Sequence, residues 1–167
     1  MTPLSQAAPE LDVVQWFNTP GPLTLAGLRG RIVVVHAFQM LCPGCVQAGL
    51  PQAQRIFQLF PADQVAVIGL HTVFEHHAAM TPVSLGAFIH EYRLGFPIGV
   101  DRPGERGPIP RTMAAYGMNG TPTLLLIDRF GRLRRHAFGV EEDLRVGADI
   151  ARLIAEKPGS ETDFSAS

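Results

Sequence analysis

The feature that most constrains this chain is the CPGC segment at residues 42–45, which contains its only two cysteines. An uncharged, β-branched run precedes it at residues 32–35, and such a run is typical of a strand buried on both faces. Pro43 fits the first turn of a helix, where its missing N–H removes no hydrogen bond, and leucine and phenylalanine recur at helical spacing as far as Phe60. The pattern therefore places both cysteines where a buried strand gives way to a helix.

This position favours thiol redox chemistry. The N–H groups and dipole of a helix N-terminus favour a thiolate at Cys42, and Cys45 lies one turn further on, close enough to form a disulfide. A structural zinc site needs four ligands and the chain has no second cysteine pair, although His71, His76 and His77 are candidates to complete one. A purely structural disulfide would close a loop too short to constrain the unfolded chain. We interpret the segment as a redox centre with no bound metal.

Composition predicts one globular domain of ordinary character. The chain has 167 residues, of which 46% are hydrophobic and 17% charged. A net charge of -1 and a pI near 6.6 give no reason to expect nucleic acid or an anionic membrane as a partner. The basic cluster consists of Arg129, Arg132, Arg134 and Arg135. We interpret it as the solvated face of a hairpin, because no aromatic residues or known nucleic-acid module accompany it.

The first residues of the sequence predict no targeting segment. Residues 1–15 lack a cationic start and a continuous apolar core, and no run approaches membrane-spanning length, so we expect a cytoplasmic protein. We also expect a monomer. Proline, glycine and serine near the ends predict a flexible lead-in at residues 1–12 and a flexible tail at residues 156–167, which leaves one domain at residues 13–155.

Strand and helix patterns alternate along that domain. Apolar runs predict strands at residues 31–38, 65–70, 96–100, 124–127 and 133–138. Helical spacing and start signals predict helices at residues 43–60, 82–94, 111–116 and 141–155. This alternation, followed by a hairpin and a closing helix, predicts an α/β fold with three layers, α/β/α, around a central mixed β-sheet.

Five segments together resemble the TlpA-like branch of the thioredoxin superfamily. They are residues 16–18 (WFN), 23–31 (LTLAGLRGR), 42–45 (CPGC), 116–123 (YGMNGTPT) and 126–132 (LIDRFGR). The resemblance implies a thioredoxin-like fold, with Cys42 as the exposed attacking cysteine and Cys45 as the resolving cysteine. It also implies a cis peptide bond before Pro122, facing the disulfide, with Thr121 as a residue that contacts the substrate. Pro43 and Gly44 would border the bound substrate.

The chain departs from that family at three positions. Leu41 stands immediately before the first cysteine, where many thioredoxins have tryptophan. Ala48 stands where some TlpA-like proteins have an acid, and His36 occupies the position of a buried acid that lies six residues before the first cysteine. Two interpretations of His36 stay open: a neutral core residue satisfied by a backbone carbonyl, or a base that accepts the proton of Cys45, directly or through a water.

The two cysteines are compatible with three functions. The first is a dithiol–disulfide oxidoreductase that uses Cys42 and Cys45. The second is a peroxiredoxin-like peroxidase, but Val35 and Gln39 stand where that motif has proline and threonine. The third is a Sco-type copper-binding chaperone, whose cysteines are usually separated by three residues, whereas two separate them here. The sequence favours the first function.

The expected redox cycle needs no cofactor beyond the Cys42–Cys45 disulfide. Its partners would be a disulfide-containing protein or small molecule and an upstream dithiol reductase. Between the cysteines, Pro43 and Gly44 bring no charge or hydroxyl group that would stabilise a thiolate further, so we expect a moderately reducing protein with a role in redox homeostasis.

Overall fold

The computed structural model describes residues 5–157, which form a mixed sheet of six strands in the order β1-β4-β3-β2-β5-β6. The strands are β1 Val13–Phe17, β2 Ile32–Phe38, β3 Val65–His71, β4 Ile98–Asp101, β5 Thr123–Ile127 and β6 Leu133–Phe138. The helices are α1 Leu50–Leu59, α2 Pro82–Glu91, α3 Arg111–Tyr116 and α4 Asp143–Ala155. The predicted strand and helix order is therefore confirmed, with one strand added at the start.

Strand β2 lies at the centre of the sheet because it pairs on both sides, parallel with β3 and antiparallel with β5. Successive side chains of a strand point to opposite faces. Val34 and Phe38 pack into a core with Cys45 and apolar residues of α1, α2 and α4. Val33 and Val35 pack into a second core with residues of α3. Both faces are covered, so the predicted α/β/α layering is confirmed.

Strand β1 is the element that the sequence pattern did not reveal. It pairs antiparallel with β4 and lies at the end of the strand order. Its apolar residues do not alternate cleanly with polar ones, and Val14 is 45% exposed. Because an outer strand keeps one side unpaired and part of its surface in water, periodicity identifies it poorly.

The helix after the CPGC segment begins differently from the prediction. A π-helical turn, Cys45–Gly49, precedes α1, and the N–H of Leu50 donates to the carbonyl of Cys45, five residues earlier. Pro51, which has no N–H to donate, comes directly after this wider turn, within the first turn of α1. The residues that follow the redox cysteines therefore bulge relative to a regular α-helix.

The basic cluster at residues 129–135 is not a solvated face, so that interpretation was wrong. The guanidinium group of Arg134 is buried and donates to both carboxylate oxygens of Glu156, at 2.7 and 2.9 Å. Arg135 donates to Asp149 Oδ2 at 2.7 Å. These two acids lie 22 and 14 residues away along the chain, whereas Asp128, which accepts from both Arg132 and Arg134, lies only four and six residues before them.

Helix α4 begins at Asp143, two residues later than predicted, and Glu142 is its N-cap residue. Asp143 is the acidic residue in its first turn, where the helix dipole favours negative charge. With 13 residues, α4 is the longest of the helices in the described range, whereas a bilayer span needs about 20 residues. Between residues 5 and 157, no helix has the length and apolar character needed to cross a membrane.

Both predicted flexible ends contact the domain where the structure describes them. The N–H of Ser5 donates to Leu133 O at 2.6 Å, and the N–H of Leu133 donates to Gln6 O at 2.9 Å, so this segment extends the sheet beside β6. At the other end, Glu156 binds Arg134. Residues 1–4 and 158–167 lie outside the described residues, and the domain limits at 13 and 155 stay a prediction.

Candidate active site

The two cysteines lie just beyond the end of β2 and are joined in a disulfide, with 5.2 Å between their Cα atoms. Cys42 is half-buried, whereas Cys45 is 0% exposed. The backbone N–H of Cys45 points at Cys42 Sγ, 3.2 Å away. An N–H group in this position stabilises negative charge on sulfur. The site thus has one half-buried cysteine and one fully buried cysteine.

The segment before β5 lies against this disulfide. The Thr121–Pro122 bond is cis, as the resemblance implied. Thr121 O lies 3.4 Å from Cys42 Sγ, and a Cβ added at Gly44 would lie 3.4 Å from Pro122 Cδ. The structure therefore brings Cys42, Gly44, Thr121 and Pro122 together, with an exposed Pro43 beside them.

Val140 forms a further part of this rim and was missed in the sequence. Its Cγ2 would lie 3.7 Å from a Cβ at Gly44, and the residue is 63% exposed. The N–H of Gly139 donates to Pro122 O at 2.8 Å, which holds the turn after β6 against the cis-proline. Gly139 has a φ of 99°, a conformation that favours glycine. A glycine between a strand and a helix was the available signal for this turn.

His36 is two residues from Val34 and two from Phe38, so all three side chains lie on the same face of β2. That face also packs against Cys45. It is 3% exposed. Its Nδ1 lies 3.7 Å from the position of a Cβ added at Gly49 in the π-helical turn. Neither ring nitrogen makes a hydrogen bond of good geometry within residues 5–157, with a backbone carbonyl or with any other group, although the side-chain amide of Gln52 interacts with the ring.

Burial lowers the pKa of His36 to about 4, so the ring is neutral near pH 7. The amide of Gln52 and the charge of Asp143 act in the opposite direction. Gln52 is itself buried, and its Nε2 donates to Glu141 O at 2.8 Å and to Asp143 Oδ1 at 2.9 Å. Arg55 pairs with Asp143 at 2.7 Å. Sequence reasoning missed Gln52 because a single glutamine on a helix belongs to no motif.

The three histidines considered as metal ligands are placed differently from one another. His71 is buried beside Phe38, with 5.2 Å between the ring centroids. His76 and His77 are exposed in the loop after β3, and His77 Nε2 lies 3.4 Å from Pro108 O. Across residues 5–157, no three His, Cys, Asp or Glu side chains form a group that could hold a metal ion.

Two solved structures share this architecture closely. A crystal structure of a thioredoxin-like superfamily protein is 62% identical, with a TM-score of 0.89, and the match covers 90% of this chain and 97% of that chain. A thiol-disulfide isomerase from Corynebacterium glutamicum is 49% identical, with a TM-score of 0.86 over 90% of this chain and 98% of that chain. The predicted thioredoxin-like fold is confirmed.

The sequence also matches a longer protein. Protein DipZ of Mycobacterium bovis is 30% identical over 157 residues, which is 91% of this chain and 21% of DipZ. The chain thus spans about a fifth of the length of that curated relative. The family model described as AhpC/TSA matches residues 4–136. With a thioredoxin-like fold, a CXXC disulfide and this match over most of its length, the chain belongs to the AhpC/TSA family within the thioredoxin-like superfamily.

Proposed function

We propose that this protein is a thiol-disulfide oxidoreductase that reduces disulfides in proteins or small molecules. The observation that carries the proposal is the unequal exposure of the two sulfurs: Cys42 is half-buried and Cys45 is fully buried. The solved relative from Corynebacterium glutamicum, named a thiol-disulfide isomerase, supports the same class of chemistry.

The reaction proceeds in two steps. The Cys42 thiolate attacks one sulfur of the substrate disulfide, which forms a mixed disulfide and releases the other substrate sulfur as a thiolate. Cys45 then loses its proton and attacks Cys42 Sγ, which forms the protein disulfide and releases the second substrate thiolate. The substrate gains two electrons and the protein dithiol loses them, while the released thiolates take up protons. The upstream dithiol reductase then returns the protein to its reduced form.

Substrate binding is assigned to Thr121, Pro122, Pro43 and Gly44. The support is their position, since Thr121 O lies 3.4 Å from Cys42 Sγ and Pro122 packs against Gly44. An extended substrate segment can pair with the backbone of this loop while its disulfide meets Cys42. Exposed Pro43 adds apolar surface next to the attacking sulfur.

His36 is assigned as the base for the second step. It lies on the same face of the sheet as Cys45, it is neutral near pH 7, and in the described part of the chain its nitrogens make no hydrogen bond of good geometry that would occupy them. A thiolate forming at Cys45 is an opposite charge that favours the protonated ring, so the proton transfer is assisted as it occurs.

The other two functions receive less support from the site. At the peroxidase positions, Val35 is buried in the core on the opposite face and Gln39 accepts from the N–H of Phe74 at 3.1 Å. A Sco-type site needs one histidine beside the two cysteines, and of the candidates His71 is in the core while His76 and His77 are in an exposed loop. We keep the cytoplasmic location, the monomeric state, the reducing direction and the lack of a further cofactor as parts of the proposal.

Two cysteine variants test the proposal. With a disulfide substrate such as insulin, Cys42→Ser should abolish reduction, whereas Cys45→Ser should form a covalent mixed disulfide that accumulates. Alkylation of the reduced protein near pH 7, followed by mass spectrometry, should modify Cys42 much faster than Cys45. Equal labelling rates, or a mixed disulfide that accumulates in Cys42→Ser instead, would contradict the assigned roles.

A further inference from the structure

Gln39 is a buried polar residue between the central strand and the redox centre. It follows Phe38, the last residue of β2, and stands three residues before Cys42. It is 2% exposed. Burial of a side-chain amide is unfavourable unless its polar atoms form hydrogen bonds, so the partners of Gln39 show what holds it in place.

The side chain of Gln39 binds the loop after β3. Its Oε1 accepts from the backbone N–H of Phe74 at 3.1 Å, and its Nε2 donates to Oε1 of Glu75 at 3.4 Å. The two ends of one amide thus bind two successive residues of that loop. Only one orientation of the amide allows this, because the reverse would place two donors together at Phe74 and two acceptors together at Glu75.

The backbone of Gln39 contacts the attacking cysteine. Its carbonyl oxygen accepts from the N–H of Cys42 at 3.2 Å, which closes a turn at residues 39–42. The N–H of Cys45 in turn points at Cys42 Sγ, 3.2 Å away. Because the allowed directions of a side chain depend on its backbone, the conformation of this turn decides whether the sulfur stays next to that N–H.

The loop that holds Gln39 is itself anchored at its start. The N–H of Thr72 donates to Phe38 O at 3.1 Å, and the hydroxyl of Thr72 lies 2.9 Å from Oδ2 of Asp101 at the end of β4. Asp101 is buried and accepts from two N–H groups at the start of α3, at 2.8 and 3.0 Å. The loop is therefore tied to β2, β4 and α3, and it is a fixed support for the side chain of Gln39.

We propose that Gln39 is a positioning residue that keeps Cys42 Sγ next to the N–H of Cys45 by tying the turn at residues 39–42 to the loop after β3. The inference rests on the proposed function, in which Cys42 is the attacking thiolate. In the reduced protein, an N–H directed at this sulfur stabilises the thiolate, and it does so only while the turn keeps its conformation. Gln39 thus acts on the first step through the turn.

Gln39→Met tests the inference, with Gln54→Met as its matched control. Methionine has the length of glutamine but no amide, so the substitution removes both side-chain hydrogen bonds and keeps most of the volume. Gln54 of α1 also binds a neighbouring loop through both ends of its amide: Oε1 accepts from the N–H of Gly95 at 3.3 Å, and Nε2 donates to Arg93 O at 3.4 Å. The control therefore loses bonds of the same kind at another place.

The first measurement is the pH at which half of Cys42 is thiolate. It is read from the ultraviolet absorbance of the thiolate in a Cys45→Ser background, where Cys42 is the remaining cysteine. Gln39→Met should raise this midpoint by about one pH unit, because the hydrogen bond to the charged sulfur is weakened. Gln54→Met should leave the midpoint at the wild-type value.

The pH profile of the first step separates positioning from a general loss of structure. Below both midpoints, about tenfold less thiolate is partly offset by the higher nucleophilicity of each thiolate, so attack in Gln39→Met should be about threefold to fourfold slower. Above both midpoints, only the nucleophilicity differs, and attack should be about threefold faster. The two profiles should therefore cross, whereas a damaged fold would slow the attack at every pH.

Hydrogen exchange at Phe74 tests the contact in the wild-type protein, without any variant. The N–H that donates to Gln39 should exchange at least about 100-fold more slowly than in an unfolded chain. Exchange at the rate of an unfolded chain would overturn the inference, even if Gln39→Met does not fold.

Two further outcomes would overturn the inference: an unchanged midpoint in a folded Gln39→Met protein, or an equal shift in Gln54→Met. In each case, reduction of insulin by the wild-type protein would leave the proposed function standing. A wild-type protein that exchanges no disulfide would overturn that function itself, while the thiolate midpoints would still decide whether Gln39 positions Cys42.

Discussion

His36 of β2 and His71 of β3 are alike in burial and in charge. They are 3% and 1% exposed, and burial lowers the pKa of each to about 4. Their surroundings differ. His36 borders a cavity next to the turn that begins at Cys45, whereas His71 packs against the ring of Phe38. The two histidines therefore share burial and a lowered pKa. What distinguishes His36 as a candidate base is its place next to the turn that begins at Cys45, the cysteine that must lose its proton.

The largest expected difference between the two histidines is kinetic. His36→Leu should slow release of the mixed disulfide by roughly 100-fold to 1000-fold, because the second step loses its general base, while the first attack by Cys42 keeps its rate. His71→Leu should leave both steps at wild-type rates. Stopped-flow fluorescence with a disulfide peptide resolves the two steps. An unchanged second step in a folded His36→Leu protein would make both histidines core residues.

A smaller effect, on stability, should be the same for both. Each ring has a folded pKa of about 4, below the ordinary value of 6.5, so the unfolded chain binds more protons between these values. Stability should therefore fall as the pH is lowered from 6.5 to 4, by up to about 3 kcal/mol per histidine. Urea unfolding at pH 7 and at pH 4.5 measures it.

Each leucine variant should lose less stability on acidification than the wild type does. The comparison between proteins removes the contribution of carboxyl groups such as Asp12 and Asp143, whose pKa values are lowered by arginine partners. An identical acid-induced loss in the wild type and in His71→Leu would mean that His71 is protonated or solvated in the folded protein.

The smallest expected effect concerns metal binding. Zinc or copper titrated into the reduced protein should bind weakly through the two cysteines at most, and His71→Leu should not change that binding. Isothermal titration calorimetry under reducing conditions measures it. Tight binding of one metal ion per protein that disappears in His71→Leu would favour the copper-chaperone alternative. His71 would then be a metal ligand and not a core residue.

The central part of the fold could be predicted because its signals are local. The β2 and β3 runs are continuous and apolar, which follows from burial on both faces. Strand β1 was missed because Val14 lies on an outer strand and is partly exposed. The burial of Arg134 could not be predicted either, since Glu156, which accepts two of its hydrogen bonds, is remote in the sequence and meets it only in the folded protein.

The candidate site likewise has features that local sequence patterns predict and features that they do not. The positions of Cys42 and Cys45 follow from local pattern, and the cis bond before Pro122 was inferred only from the resemblance. The close approach of Gly49 to Pro122 and His36 was not predictable, because these residues come from other elements and meet Gly49 only in the folded protein. The π-helical turn that contains Gly49 is a rare form, and the helical spacing of the sequence predicted a regular helix there.

The backbone of residues 5–8 bears on how the protein behaves at high concentration. Strand β6 ends the strand order, and a strand with unsatisfied N–H and C=O groups is a template for other chains, which leads to aggregation or amyloid. Ser5 and Gln6 bind the C=O and N–H of Leu133, and Ala8 binds Gly131 O at 2.8 Å. This short segment therefore covers the edge of β6 at its beginning, where another chain could otherwise pair with it. Removing the segment would be expected to lower solubility while the redox centre stays intact.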